Sequence, residues 1–367
     1  MSANSYLQVD LQAIRDNVSE LLKETGPRKK LIPVLKGNAY GLGVIRVAET
    51  LTGFSGLDTF AVSHVAEGLD LRRAGFRQKI LIMSLPPAEL TEPAVLADLV
   101  LPLAAFHQFP LLKALSEKLN RKIEVSLKLD TGLHRIGFCF EEAEQLISVL
   151  KESGNYLALH GTFSHFSRED RDVLAAEADL FRRYLLRLRA AGIPTGLCHI
   201  GSSASLEAGF GLDQDAVRVG RRLYLDNPVQ PTGKIREAFT FRAFLTDIRE
   251  RRAGEPVGYG GSIIPEQDTR IGILSVGYGD GLDPALAGKR APVLVGGHRV
   301  PLLACCMDQS FVDLGQVPAA PGDPVILFGS GPDGSSLSSQ EIAGLIGCEG
   351  VDLTSRLTPR VERVYLP

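Results

Sequence analysis

The 367-residue sequence predicts an α/β protein, with a TIM-like (β/α)8 barrel over residues 1–235 followed by a mostly β C-terminal domain over 236–367. Three observations carry that expectation. From Asp10 onward, short apolar runs alternate with segments of helical periodicity, which implies parallel strands covered by helices. About 235 residues of this alternation suits a barrel of ~250 residues, and the whole chain exceeds what one core usually serves. After Pro231 the texture changes to short strand-like runs punctuated by Gly, Pro and Asp.

In the first region, Leu11, Ile14, Val18, Leu21 and Leu22 follow helical spacing behind Asp10, a favourable N-cap. Leu31–Leu35 is a short apolar run and is assigned as a buried strand. Further strands are expected at Thr59–Val62, Ile80–Met83, Ile123–Leu129, Ala158–Phe163 and Leu197–Ile200, with helices at Val65–Ala74, Glu141–Lys151 and Leu174–Ala191. Beyond the boundary, strands are expected at Phe239–Ile248, Thr269–Val276, Pro292–Val295, Arg299–Leu303, Phe311–Leu314 and Pro324–Phe328. Gly296-Gly297 is a two-residue hairpin signal, and Ser338 with Glu341 matches a capping box before a short helix.

Composition narrows the function classes. At 44% hydrophobic and 23% charged residues the chain should fold into a globular protein. Its formal net charge is −3, and no stretch concentrates Lys and Arg among aromatics, so no nucleic-acid partner is expected. The five cysteines are odd in number and lack C-x-x-C spacing, as expected for reduced thiols in a cytosolic protein. Met1–Asp10 has no signal pattern, and the apolar window Val95–Leu112 is broken by Asp98, Pro102, His107 and Pro110, so no membrane span is expected.

In a β/α barrel the functional groups sit where strands end. Lys36 ends the first apolar run and precedes Gly37-Asn38-Ala39-Tyr40-Gly41-Leu42-Gly43, whose glycines permit close backbone approach to a ligand. Desolvation at such a mouth favours the neutral amine that Schiff-base chemistry requires. In the run Ile123–Leu129, the apolar residues alternate with Glu124, Ser126 and Lys128, which places Lys128 in a different layer from the apolar set.

Val34-Leu35-Lys36-Gly37-Asn38-Ala39-Tyr40-Gly41 resembles the cofactor-lysine motif of the alanine racemase family. The resemblance continues in order through Lys128–Gly137, Ser164-His165-Phe166, Ser202–Ser205 and Val217-Arg218-Val219-Gly220. It then extends to Gly258-Tyr259-Gly260, Val276–Gly281 and Cys306–Gln309. It implies an amino-acid racemase that uses pyridoxal 5′-phosphate, built as a β/α barrel followed by a β domain. By resemblance, Lys36 carries the cofactor and acts as one of two bases. Tyr259 matches the second base, with His165 and Arg218 behind it. Arg218 matches the arginine at the pyridine nitrogen, where a permanent cation disfavours ring protonation. Tyr40, Ser202 and the backbone at Gly220 and Arg221 match the phosphate site. Arg135 matches an arginine near the cofactor's phenolic oxygen and counts among the substrate-binding groups, and Lys128 matches a lysine often carbamylated beside it.

Tyr278, Met307 and Asp308 match substrate-side residues that the β domain of one subunit offers to the barrel of another, which implies a homodimer with shared active sites. The chain departs from the family near its C-terminus: where the family commonly has a tyrosine that narrows the pocket, this sequence places Pro359. The remaining histidines, His199 among them, show no metal-ligand clustering, so no metal is expected and none receives a catalytic role. The rival functions are a racemase of broader side-chain preference, a related basic-amino-acid decarboxylase, and a non-catalytic cofactor carrier. The β domain with Tyr259 argues against the last.

Overall fold

The computed structural model describes residues 4–227, 231–261 and 263–367. They form two compact units that interleave in sequence: residues 17–39 and 44–223 make one, and residues 1–16, 40–43 and 224–367 make the other. Residues 1–16 thus fall with the C-terminal residues. The reason is β1 (Ser5–Asp10), a strand that precedes all the barrel strands and joins the C-terminal sheet.

The first unit holds eight parallel strands: β2 (Lys30–Pro33), β3 (Thr59–Val62), β4 (Lys79–Ile82), β5 (Leu101–Leu103), β6 (Ile123–Lys128), β7 (Leu157–Phe163), β8 (Leu197–His199) and β9 (Ala216–Val219). β9 pairs with β2, β3 with β4, and β5 through β8 pair in order, all parallel. Parallel bridges Val34–Ala61 and Leu81–Val100 join β2 to β3 and β4 to β5. The Asp215 and Arg218 amides donate to the Cys198 and Gly201 carbonyls and link β8 to β9, so the ring closes. Ile32, Val34, Ala61, Leu81, Val100, Phe163 and Ala216 form a buried apolar cluster contributed by the strands around that ring. Large or branched side chains (Ile32, Val34, Leu81, Val100 and Phe163) fill most of that cluster, and Ala61 and Ala216 are its small members.

Helices follow the strands where periodicity placed them, including Val65–Arg73, Ala143–Ser153 and Arg171–Ala190. Ala88–Leu96 and Gln108–Leu119 are helices within and beyond the window that looked merely interrupted. Pro110 falls in the first turn of its helix, where its missing N–H costs nothing.

The second unit contains β10 (Phe239–Arg251), β11 (Thr269–Leu274), β12 (Pro292–Val295), β13 (His298–Cys305), β14 (Ser310–Asp313), β15 (Pro324–Ser330), β16 (Ser336–Leu337) and β17 (Glu362–Leu366). The antiparallel pairings run β10–β11–β14–β13–β12–β15 and return to β10, a closed circuit. β1 extends the sheet, antiparallel to β10 and parallel to β17. Gly296 and Gly297 connect β12 to β13 with φ of 55° and 79°, the double left-handed turn that matches strand twist. At the start of the first helix, Leu11–Thr25, the Ala13 amide donates to Asp10 Oδ1 at 2.8 Å, as the cap pattern predicts.

Candidate active site

Within the barrel unit, the polar residues following successive strands converge. Arg218 stands in β9, only 4% exposed, and its guanidinium is fixed from several sides. One terminal nitrogen donates to the carbonyls of Ser164 (2.7 Å) and Ile200 (3.3 Å) and lies 3.2 Å from His165 Nδ1. The other bonds His199 Nδ1 and donates to the His199 carbonyl at 3.2 Å. The guanidinium also sits 5.6 Å from the Phe163 ring centroid, and His199 stacks on that ring at 5.4 Å. A cation so held is a fixed element of the site's field.

Burial and the neighbouring Arg135 bring the Arg218 pKa down to about 10, which leaves it protonated at neutral pH. Burial and then Arg218 push His165 to about 3, so His165 is a neutral imidazole. The charges of Lys128, Arg135 and Lys36 act in the same direction, which shows how densely cations cluster there. Lys128, 3% exposed at the end of β6, is lowered to about 7 by burial and then by Arg218. Its ammonium donates to the Leu129 carbonyl at 2.6 Å. Asp130 opposes these cations, but its Oδ1 accepts the amides of Gly132 (3.1 Å) and His134 (3.0 Å).

Ser202 precedes the short helix Ser203–Glu207, and the Gly220 amide donates to Ser203 Oγ at 3.3 Å. The Arg221 guanidinium is engaged by Glu207 at 3.1 Å, so this side chain is held within the fold. Lys36 follows the end of β2, and the chain then turns through consecutive left-handed residues, among them Gly37, Asn38, Ala39 and Tyr40 with φ of 62°, 56°, 53° and 55°. Three of these are not glycine, a conformation that costs roughly 1–2 kcal/mol per residue and clusters at functional sites. The Gly37 amide donates to Glu67 Oε1 at 2.6 Å, and Asn38 Oδ1 accepts the Val44 amide at 2.8 Å, which pins the turn.

The barrel unit thus brings together Lys36, Lys128, Arg135, His165, Ser202, Arg218, Gly220 and Arg221. Tyr40, Tyr259, Tyr278, Met307 and Asp308 belong to the other unit. There, Tyr259 is 88% exposed in a Gly-flanked turn, and Tyr278 and Met307 are also exposed. His199 is the residue that sequence reasoning passed over. A test for metal-ligand clustering could not find it, whereas its place at the end of strand β8 would have. Among the described residues no group of His, Cys, Asp and Glu is arranged to hold a metal ion.

The family model for the alanine racemase N-terminal domain matches residues 9–228, and that for the alanine racemase C-terminal domain matches residues 238–365. The biosynthetic alanine racemase of Escherichia coli O6:H1 is 34% identical over 368 residues, covering 98% of both chains. The alanine racemase of Mycobacterium tuberculosis H37Rv is 33% identical, covering 97% of this chain and 94% of its own. The crystal structure of the biosynthetic alanine racemase from Pseudomonas aeruginosa matches the whole of both chains with a TM-score of 0.85 and 31% identity. That of the alanine racemase from Streptomyces lavendulae matches with a TM-score of 0.91 and 28% identity. With both domains matched in order and full-length relatives above 30% identity, the chain belongs to the alanine racemase family.

Proposed function

We propose that this isomerase interconverts L- and D-alanine with Lys36 and Tyr259 as its two bases and pyridoxal 5′-phosphate held on Lys36. The observation that carries the reading is the buried, protonated Arg218 set among Lys36, Lys128, Arg135 and a neutral His165. Such a donor set fits a phosphorylated, acceptor-rich aromatic cofactor: the cations complement its negative charge, and the Ser202 hydroxyl with the Gly220 and Arg221 amides suits its phosphate. Tyr40, which belongs to the other unit, matches the family's further phosphate donor.

When bound, the cofactor withdraws electron density from the substrate's α-carbon. Lys36 and Tyr259 would act as the two bases: the deprotonated one would take the α-proton from one face, and the protonated one would return a proton to the other. Arg218 stays protonated and, with the cofactor bound, would donate a hydrogen bond to the ring nitrogen and disfavour its protonation. A ring nitrogen kept unprotonated would be a weaker electron sink, which would disfavour misplaced reprotonation. His165, neutral and 3.2 Å from Arg218, is suited to relay that positive field toward Tyr259 without adding a charge. Lys128 near neutrality has the free amine that carbon dioxide needs for carbamylation, and a carbamate there would pair with Arg135.

We also infer a homodimer in which Tyr259, Tyr278, Met307 and Asp308 of one copy complete the barrel site of the other. The exposure of Tyr259 and Met307, at 88% and 54%, supports this, since both side chains are accessible to another copy. The cytosol suits five free thiols, and no helix among the described residues is long and apolar enough to cross a membrane.

Purified holoenzyme incubated with single L-amino acids, followed by chiral separation, tests the reading. D-Alanine is the expected product, and borohydride should fix the cofactor to Lys36. Label on another lysine, or no D-alanine, would overturn it. Including L-serine and L-lysine shows whether Pro359 leaves room for larger side chains.

A further inference from the structure

A cluster of ion pairs on the C-terminal unit holds two of the substrate-side loops together through one side chain. Arg360 Nε lies 2.9 Å from Asp280 Oδ1, and its Nη2 lies 2.7 Å from Asp308 Oδ1. Asp280 is buried, with its other oxygen accepting the Gly277 amide at 2.9 Å. The two loops meet directly. The Tyr278 amide donates to the Cys306 carbonyl at 2.9 Å and the Gly279 amide to the Met307 carbonyl at 2.8 Å. A side chain at Gly277 would collide with those same carbonyls, at 2.3 and 2.4 Å. The segment bearing Arg360 is tied in as well: the Thr358 amide donates to the Asp280 carbonyl at 3.0 Å and its hydroxyl to the Gly279 carbonyl at 3.0 Å.

We propose that Arg360 is a positioning residue for substrate binding, bridging the loop of Tyr278 and the loop of Met307 and Asp308 and cancelling the Asp308 charge that would otherwise repel a substrate carboxylate. The inference rests on the reading that these loops face the substrate. The bridge is electrostatic as well as mechanical. Two carboxylates share one guanidinium, and the pairing with buried Asp280 fixes the guanidinium's orientation while leaving Nη2 for the more exposed Asp308. Removing the guanidinium leaves two uncompensated negative charges beside the loops. Both effects oppose binding of an anionic group, and neither touches the proton-transfer groups, so KM should respond and kcat should not.

The experiment compares wild-type, Arg360→Gln, Arg360→Lys and Arg360→Gln/Asp308→Asn holoenzymes. Racemisation kinetics are measured with alanine, and binding of propionate, a carboxylate without the amine, is measured by calorimetry. For Arg360→Gln, KM and the propionate Kd should each rise roughly fivefold with kcat within about twofold. Adding Asp308→Asn should reverse most of that rise, a rescue that a merely structural role would not give. Arg360→Lys keeps the charge but serves one carboxylate at a time, so an intermediate Kd is expected. If Arg360→Gln does not fold, Arg360→Lys with and without Asp308→Asn decides the matter by the same rise and reversal. Unchanged propionate Kd, a loss confined to kcat, or no rescue by Asp308→Asn would overturn the inference. Absence of alanine racemisation by the wild type would instead overturn the function proposed above, since the propionate titration does not depend on turnover.

Discussion

Lys128 shows how one buried amine links stability to pH. Its folded-state pKa of about 7 lies below the 10.5 of a free lysine. Between those values the unfolded chain binds the proton and the folded chain does not, so stability rises with pH across that window. Below it both states are protonated, and folding bears the full cost of burying the charge. Replacing Lys128 with methionine should therefore raise Tm most below pH 7, with the gain shrinking as pH climbs toward 10. The Leu129 carbonyl would not be orphaned, since the Ser164 hydroxyl also donates to it at 2.8 Å. Melting curves in bicarbonate-free buffer check this, and a gain at pH 9 equal to that at pH 6 would refute it. At this scale Lys36 and Lys128 stood out in the sequence by their places at the ends of apolar runs, and Arg218 only through the motif it shares with the family. His199 was not, because its importance comes from what it touches in space, the guanidinium of Arg218 and the ring of Phe163.

The left-handed turn after β2 lends itself to a comparison of two glycines. Gly37 has φ of 62° and open space where a Cβ would go. Gly37→Ala should cost only the conformational penalty, about 1 kcal/mol. Gly41, at φ of 86°, would place a Cβ 2.0 Å from the Thr354 carbonyl oxygen, a backbone atom that cannot swing aside. Gly41→Ala should therefore cost well above 3 kcal/mol, in the range reserved for specific structural damage. Denaturant titrations of both variants would show the contrast, and equal losses would mean that the turn relaxes in a way the contact at Thr354 does not allow. Short apolar runs bounded by turn residues, such as Thr59–Val62 and Pro292–Val295, were legible. β1 was not, because Ser5–Asp10 mixes polar and apolar residues over only six positions and its partners are far away in the chain. β5, three residues long, carries too little pattern to separate it from the apolar stretch around it.

For the whole molecule, the proposed sharing of active sites has a direct genetic test. Lys36→Ala and Tyr259→Phe homodimers should each be inactive. A mixed dimer gathers both lesions into one site and leaves the other intact, so co-expression should restore activity. Random assortment makes about half the dimers mixed, and recovery should approach roughly a quarter of wild-type sites. Mixed dimers verified with two affinity tags that still lack activity would place both bases in one subunit. The two-domain plan could be read from the change of texture after Pro231, but the interleaving of the units could not. Periodicity reports what kind of element a segment forms, and says nothing about which sheet it joins.

That interleaving bears on how the chain is made. Tyr6 in β1 sits opposite Arg242 on one side and Glu362 on the other. A ribosome adding ~5–20 residues per second delivers β1 first, the barrel strands next, and β17 last. The nascent chain thus passes through a period in which the barrel strands are complete while β1 has no neighbour to accept its amides. An unpaired strand of that kind is a template for association with other chains. Chains truncated before β10, or polysomes crowded with half-made copies, should aggregate through β1, and speeding delivery of β10 and β17 should suppress that aggregation more than stabilising the barrel would.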